Sequence, residues 1–295
     1  MAESASRISF FVKKETTCPV CGARFFREDI LTGRSRLIAG ELTDELRRLY
    51  EPSQKYGDVF PLIYPITVCP GCLYAALPAD FESIPDASKE KIQDDADERI
   101  STSATTFGEL GYREPRRLPE GTASYYLAAR CYDAFPKEAS PTIKQGISSI
   151  RAAWLFSDLH RQDSQENYDY LSLLFFRKAR FFYRQSIEYE QNGAESIANV
   201  GNLGPDVDKN YGFDGVLYLS AYLEFHHGPT GNAEQRIQHL KRVKPIVARL
   251  FGMGKASKQK PSAILDKSRD LHAEVRDELE ESDANDPEES EPENE

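Results

Sequence analysis

Thr17-Cys18-Pro19-Val20-Cys21-Gly22 and Val68-Cys69-Pro70-Gly71-Cys72-Leu73 are two copies of one pattern, in which proline follows the first of two cysteines. A two-residue gap allows a tight turn to direct both sulfur atoms at one point. Two such turns supply the four thiolates of a tetrahedral site, and this soft ligand set favours zinc. The pattern therefore predicts one zinc ion bound by Cys18, Cys21, Cys69 and Cys72.

Four thiolates close the coordination sphere of zinc and leave no position for water or substrate, so the site is predicted to be structural. A redox alternative remains open, because a Cys-x-x-Cys pair can also act as a dithiol. The fifth cysteine, Cys131, lies in a segment with helical periodicity and is predicted to be a small buried core residue.

The two cysteine turns assign residues 1–80 to a small zinc-ribbon or knuckle module. Between the turns, Leu42, Leu46 and Leu49 share one face of a helix, which predicts a helix inserted over residues 41–50. Residues 81–121 are predicted to form a charged, solvated helix followed by a linker, because Ser, Thr, Gly and Pro dominate the second half of this segment.

From Thr122 onward the apolar residues follow helical spacing, so the fold class is predicted as mainly α. Residues 122–252 are predicted to form tetratricopeptide-like helical hairpins, a repeat of about 34 residues. The positions that fit its register are Leu217, Ala221, Gly228, Ala233, Ile237, Leu240 and Pro245. An unrelated helix bundle is the alternative. A C-terminal helix is expected over residues 253–280 and a disordered acidic tail over residues 281–295.

The net charge of −11 is concentrated at the C-terminus. Eleven acidic and no basic side chains lie from Asp277 onward, so the preceding residues carry 37 of each sign. A balanced body has no general attraction for nucleic acid, which is therefore disfavoured as a partner. The remaining nucleic-acid hypothesis uses four basic residues around the first cysteine turn: Arg24, Arg27, Arg34 and Arg36.

No stretch of the chain reaches the roughly 18 apolar residues that a membrane-spanning helix needs. The N-terminus also lacks the basic and apolar segments of a secretory signal. We therefore expect a cytoplasmic protein with no membrane partner. An aromatic segment over residues 175–183, interspersed with Arg and Lys, is interpreted as a core face flanked by surface charges rather than as a single-stranded nucleic-acid site.

The order of these features resembles a bacterial family called domain of unknown function 2225. The resemblance rests on the paired cysteine turns, on Cys69-Pro-Gly-Cys-Leu-Tyr-Ala-Ala76 and on a closing hairpin with Gly228 and Ala233. In that family the second turn usually reads Cys-Pro-x-Cys-Gly-Tyr-x-Ala, whereas Leu73 stands here in place of the usual glycine. Gly71 is expected to supply flexibility instead. The resemblance implies zinc turns and tetratricopeptide-like helices, and it implies no particular reaction.

These features favour a zinc-stabilised adaptor that binds a protein or peptide through the helices of residues 122–250. Stacked helical hairpins expose a concave surface, and Tyr125, Phe182 and Tyr218 are its candidate anchors. The alternatives are a zinc-ribbon nucleic-acid-binding protein and an enzyme with thiol redox or hydrolytic chemistry. No catalytic motif identifies a catalytic residue, so the chain is more readily interpreted as a binding protein than as an enzyme.

Overall fold

The computed structural model describes residues 7–33, 36–251 and 261–284. Helices dominate these residues, which confirms the prediction of a mainly α protein. The chain forms two compact units, Met1–Asn210 and Tyr211–Glu295. Among the described residues, no helix is both long enough and apolar enough to cross a membrane.

The strands of the first unit form three antiparallel hairpins. Strand β1 (Ser9–Thr17) pairs with β2 (Arg24–Ile30), β3 (Ile38–Leu42) with β4 (Arg48–Glu51), and β5 (Thr67–Val68) with β6 (Ala75–Ala76). Each cysteine turn joins the two strands of one hairpin, since Thr17 pairs with Arg24 and Val68 pairs with Ala75. Isolated two-stranded hairpins are marginally stable, so these hairpins depend on helices or a metal for support.

The helices of the first unit are α1 (Pro78–Glu82), α2 (Asp86–Asp94), α3 (Ala96–Phe107), α4 (Leu118–Cys131), α5 (Pro141–Gln162) and α6 (Tyr168–Asn192). Helix α5 lies at the centre, because it packs against both α4 and α6. Most of its side chains are buried, including polar ones. Arg151, for example, donates hydrogen bonds to the carbonyls of Gly204 and Pro205.

The second unit contains α7 (Gly212–His227), α8 (Ala233–Phe251) and α9 (Ser262–Ala284), which pack on one another. Its buried residues include Leu219, Leu240, Val247, Leu271 and Val275. Helix α9 matches the predicted C-terminal helix but continues four residues into the predicted acidic tail. Residues 252–260 and 285–295 lie outside the described residues, so the predicted disorder of the tail stays a prediction.

The predicted helix over residues 41–50 is wrong, because this segment forms the β3–β4 hairpin. Leu46 is fully buried at the turn with a φ of 60°, a conformation that no α-helix contains. Arg47 beside it donates a 3.2 Å hydrogen bond from Nη1 to Oδ1 of Asp158 on α5. These tertiary contacts outweigh the helical spacing of the leucines, since local propensity is a weak determinant beside burial.

The predicted separation of a cysteine module, a solvated helix with a linker, and a helical domain also differs from the structure. All of them up to Asn210 belong to one unit. Helices α2 and α3 replace the solvated helix and part of the linker, and they bury Ile92, Ala96 and Arg99. Helix α4 approaches the short 3₁₀ helix before β5 so closely that a Cβ at Gly121 would lie 2.3 Å from Cβ of Ile63. The hairpins and helices therefore share one core.

Residues 122–252 contain pairs of helices, as predicted from the sequence. Their positions alone do not make these pairs tetratricopeptide repeats. The pair α7 and α8 encloses the predicted closing turn at Gly228. Helices α5 and α6 have 22 and 25 residues, so this pair alone exceeds a repeat of about 34 residues. The tetratricopeptide-like description therefore stays a prediction.

Candidate metal centre

The two cysteine turns have the same backbone hydrogen bonds. In the first turn, the Cys18 N–H donates to the Ala23 carbonyl at 2.8 Å and the Gly22 N–H donates to the Cys18 carbonyl at 3.0 Å. In the second turn, Cys69 donates to the Tyr74 carbonyl at 2.8 Å and Leu73 donates to the Cys69 carbonyl at 3.0 Å. The matched sequences therefore fold into two matched knuckles.

The residue after the second cysteine has a left-handed backbone in both knuckles. Gly22 has a φ of 75° and Leu73 has a φ of 54°. The expectation that Gly71 supplies the flexibility of the second turn is therefore wrong, since Leu73 itself adopts the strained conformation. Gly71 is needed for close approach instead, because a Cβ there would lie 3.2 Å from Cβ of Ala23 in the first knuckle.

The knuckles bring together the four sulfur atoms that the sequence predicts as ligands. All four Sγ atoms lie within 4.8 Å of one another. Sγ of Cys18 is 3.8 Å from Sγ of Cys72, and Sγ of Cys21 is 3.5 Å from Sγ of Cys69. Metal–sulfur bonds of about 2.3 Å at a tetrahedral centre place sulfur atoms about 3.8 Å apart. The four cysteines, which form no disulfide, can therefore hold a metal ion.

The thiols cannot all ionise without a compensating positive charge. Hydrogen bonds from Cys18 and Cys72 lower the pKa of Cys69, whose sulfur also accepts a 3.3 Å hydrogen bond from the Gly71 N–H. Contacts with the sulfurs of Cys18 and Cys69, followed by burial, raise the pKa of Cys72. Negative charge on one sulfur thus opposes ionisation of the next, and a bound cation removes this opposition.

Aromatic packing connects the two knuckle hairpins. Phe81 on α1 stacks on Tyr74 of the second knuckle, with ring centroids 4.6 Å apart. It also meets Phe25 of β2 edge to face at 6.0 Å. All three rings are buried. This apolar contact joins the two knuckle hairpins beside the four sulfur atoms.

Arg99 on α3 anchors the second knuckle from the helical side, although the sequence prediction placed it on a solvated helix. Its side chain is 0% exposed. Its Nε and Nη2 donate to the Cys72 carbonyl at 3.1 and 2.7 Å, and Nη1 donates to the Ile92 carbonyl at 3.0 Å. The sequence contains a pattern that could have predicted this burial, because residues 96, 99 and 103 recur at helical spacing on one face of α3.

The three described basic residues of the nucleic-acid hypothesis contact other groups of the chain. Arg24 lies 3.9 Å from Glu15, and Arg27 lies 3.0 Å from Asp29. Arg36 donates to the carbonyls of Thr32 and Gly33. Arg34 lies outside the described residues. Neighbouring acids therefore offset the charge that phosphate contacts would need.

Cys131 lies on α4 outside the sulfur cluster and is 2% exposed, which confirms that it is a buried core residue. Burial raises the pKa of its thiol to about 11. A thiol with a raised pKa is a poor nucleophile at neutral pH. The aromatic segment over residues 175–183 is only partly a core face, since Phe175, Phe176 and Tyr183 are buried whereas Phe181 is exposed.

We expect Gly22→Ala to destabilise the protein by about 1 kcal/mol, the cost of placing a Cβ on a left-handed backbone. A Cβ at Gly22 meets no atom within 4 Å, so the effect isolates backbone strain. Urea unfolding monitored by the single tryptophan, Trp154, measures the change. Gly111→Ala, whose new Cβ would have its nearest neighbour at 3.9 Å, is the matched control. Equal stability of the two variants would contradict the claim that the left-handed backbone at position 22 is strained for alanine.

Comparison with known proteins identifies a bacterial family. The family model described as "Uncharacterized protein conserved in bacteria (DUF2225)" matches residues 11–275. A protein of Borreliella burgdorferi named "Uncharacterized protein" is 44% identical over 273 residues, which cover 92% of this chain and 98% of that relative. No solved structure matches the chain. The residues matched by the family model include both knuckles. The chain therefore belongs to the bacterial domain of unknown function 2225 family.

Proposed function

We propose that Cys18, Cys21, Cys69 and Cys72 bind one structural zinc ion, and that the chain is a zinc-stabilised adaptor for a protein or peptide. The tetrahedral spacing of four sulfur atoms supports zinc. When bound, the ion would supply positive charge to the four thiolates and join the two knuckle hairpins. Four protein ligands leave no coordination position for a substrate, so the metal serves the fold.

The adaptor role rests on one observation, an exposed apolar stripe along α6. Tyr170, Leu173 and Phe181 are 58%, 38% and 48% exposed. With the exposed Arg177 between them, they recur at intervals of three and four residues and share one face of the helix. We call these three apolar residues the α6 stripe. Exposed apolar side chains that share one face of a helix are typical of interaction surfaces.

The anchors expected from the sequence are revised in this proposal. Tyr125 and Tyr218 are 0% and 1% exposed, so neither can contact a partner without unfolding. Phe182 is half-buried and lines a cavity, and its ring meets the Phe181 ring edge to face at 5.2 Å. The proposed partner segment is an amphipathic helix whose apolar face covers the α6 stripe. Acidic residues beside that face would complement Arg177.

A photo-crosslinking residue at position 173 is expected to capture this partner in cells. The same residue at Asp97, which is exposed on α3, is the matched control. Adding Phe181→Ser should weaken capture by at least about tenfold, because apolar anchors dominate interface energy. Mass spectrometry identifies the captured segment.

The adaptor proposal fails if position 97 captures the same proteins as position 173, or if Phe181→Ser leaves capture unchanged. The experiment does not depend on the metal, so zinc content is measured separately on the same preparations. A protein with full zinc content and no specific capture would retain the structural zinc proposal and exclude the α6 stripe as the binding surface.

A further inference from the structure

A cavity of about 610 Å³ lies in the first unit, on the helical side of the second knuckle. Helices α2, α3, α4 and α6 contribute its lining, which includes four basic side chains: Lys91, Arg99, Arg130 and Lys178. Its volume falls within the range of small-molecule binding sites. Neither the metal centre nor the α6 stripe uses this cavity.

The two arginines of the cavity are neutralised by carboxylates of the chain itself. Asp95 lies between them and accepts a 3.2 Å hydrogen bond from Nη1 of Arg99 and a 2.8 Å hydrogen bond from Nε of Arg130. Glu98 lies 3.1 Å from Nη2 of Arg130 on the solvent side. These arginines shape the cavity wall, and most of their charge is already compensated.

The two lysines are different, because neither has a carboxylate within 4.0 Å among the residues that the structure describes. Lys91 comes from α2 and Lys178 from α6. Nζ of Lys178 lies 5.0 Å from the centroid of the Phe175 ring. Both lysines are exposed, and partial desolvation by the surrounding protein, and then the positive charge of Arg130, lower the pKa of Lys178. The one other acidic side chain in the described lining is the exposed Asp133.

Flat apolar groups complete the lining beside these charges. Tyr126 and Phe182 present aromatic rings, and Ile92 and Ala129 add aliphatic surface. The Tyr126 ring is held by an edge-to-face contact with Phe107, with centroids 5.8 Å apart. Rings held in this way bind planar apolar groups at low entropic cost. The cavity therefore combines two uncompensated ammonium groups with a site for a flat ring.

We propose that this cavity binds a small molecule that carries a phosphate group beside a flat apolar ring. A phosphate has enough terminal oxygens to accept hydrogen bonds from Lys91 and Lys178 together, and lysine binds phosphate as a point charge. The ring lies against Tyr126 and Phe182. The inference depends on neither the zinc nor the adaptor proposal.

Isothermal titration calorimetry of the full chain tests the inference with 1-naphthyl phosphate, 1-naphthol and inorganic phosphate as probes. We expect 1-naphthyl phosphate to bind, and each fragment to bind at least about tenfold more weakly, because it lacks one half of the recognition. Lys178→Gln and Lys91→Gln should each weaken 1-naphthyl phosphate binding by about 10- to 100-fold, as expected for a charge-assisted hydrogen bond.

Arg184→Gln is the matched control, because Arg184 is an exposed basic residue of the same helix and is not among the residues that line the cavity. It should leave binding unchanged. Circular dichroism and Trp154 fluorescence establish that all variants are folded. The inference is overturned if 1-naphthyl phosphate does not bind, if a fragment binds as tightly, or if Arg184→Gln weakens binding as much as Lys178→Gln.

Discussion

Replacing Cys69 with serine is expected to abolish metal binding and to unfold the first unit. A structural zinc site contributes an apparent binding free energy of about 10–16 kcal/mol at pH 7, which is as large as the net stability of about 5–15 kcal/mol of a typical domain. Cys69 is fully buried and is the sulfur that accepts the Gly71 hydrogen bond. Serine cannot replace a thiolate as a soft metal ligand, so we expect nearly the whole contribution to be lost.

Zinc content and Trp154 fluorescence test this expectation. Elemental analysis should find about one zinc ion in each wild-type chain and almost none in Cys69→Ser. Trp154 is the only tryptophan and is buried on α5 of the first unit, so its fluorescence reports on that unit alone. We expect its emission to shift to the red in the variant, as water reaches the indole. Adding a strong chelator to the wild type should produce the same shift.

Cys131→Ser provides the matched control for the cysteine chemistry. Cys131 is buried, as are the three ligands Cys18, Cys69 and Cys72, but it lies outside the sulfur cluster. The variant should retain its zinc and lose only the roughly 1–3 kcal/mol expected for an unsatisfied buried hydroxyl. A wild-type protein without metal, or a Cys69→Ser protein with its full metal content, would contradict the proposed site. Unchanged Trp154 emission in metal-free Cys69→Ser would show that the hairpins and helices unfold separately.

The ligand set could be predicted from the sequence because it depends on local geometry. A Cys-Pro-x-Cys turn brings two sulfur atoms together through a few backbone torsions, and a repeated turn supplies the other two. The helices could also be predicted, since burial of one face gives a period of 3.6 residues. Both inferences use short-range patterns that a single sequence contains.

The remaining features depend on contacts between distant residues. Leu46 has helical spacing relative to Leu42, yet this segment forms the β3–β4 hairpin. The hairpin is determined by the burial of Leu46 and by the hydrogen bond from Arg47 to Asp158, 111 residues away. Leu73 adopts a glycine-like backbone because its side chain is buried behind the second knuckle. Such conformations are determined by the whole fold, so local propensity alone cannot predict them.

Arg99 is the clearest case, and replacing it with methionine is expected to destabilise the first unit by about 3–5 kcal/mol. Methionine approximates the length and volume of the side chain but removes every donor. The buried carbonyls of Cys72 and Ile92 would then lose their hydrogen bonds, and Asp95 would keep Arg130 as its only cationic partner among the described residues. Urea unfolding followed by Trp154 fluorescence measures the loss.

The metal centre should respond as well, because Arg99 holds the carbonyl of a ligand residue and leaves the sulfur untouched. We expect Arg99→Met to bind a full equivalent of zinc but to release it to a chelator faster than the wild type does. Arg113→Met is the control, since Arg113 makes one exposed hydrogen bond to the Arg24 carbonyl near the first knuckle. A chelator rate that stays at the wild-type value in a destabilised Arg99→Met would mean that the second knuckle is held by its metal and its aromatic contacts alone. A faster rate would assign α3 the role of bracing the metal centre from the helical core.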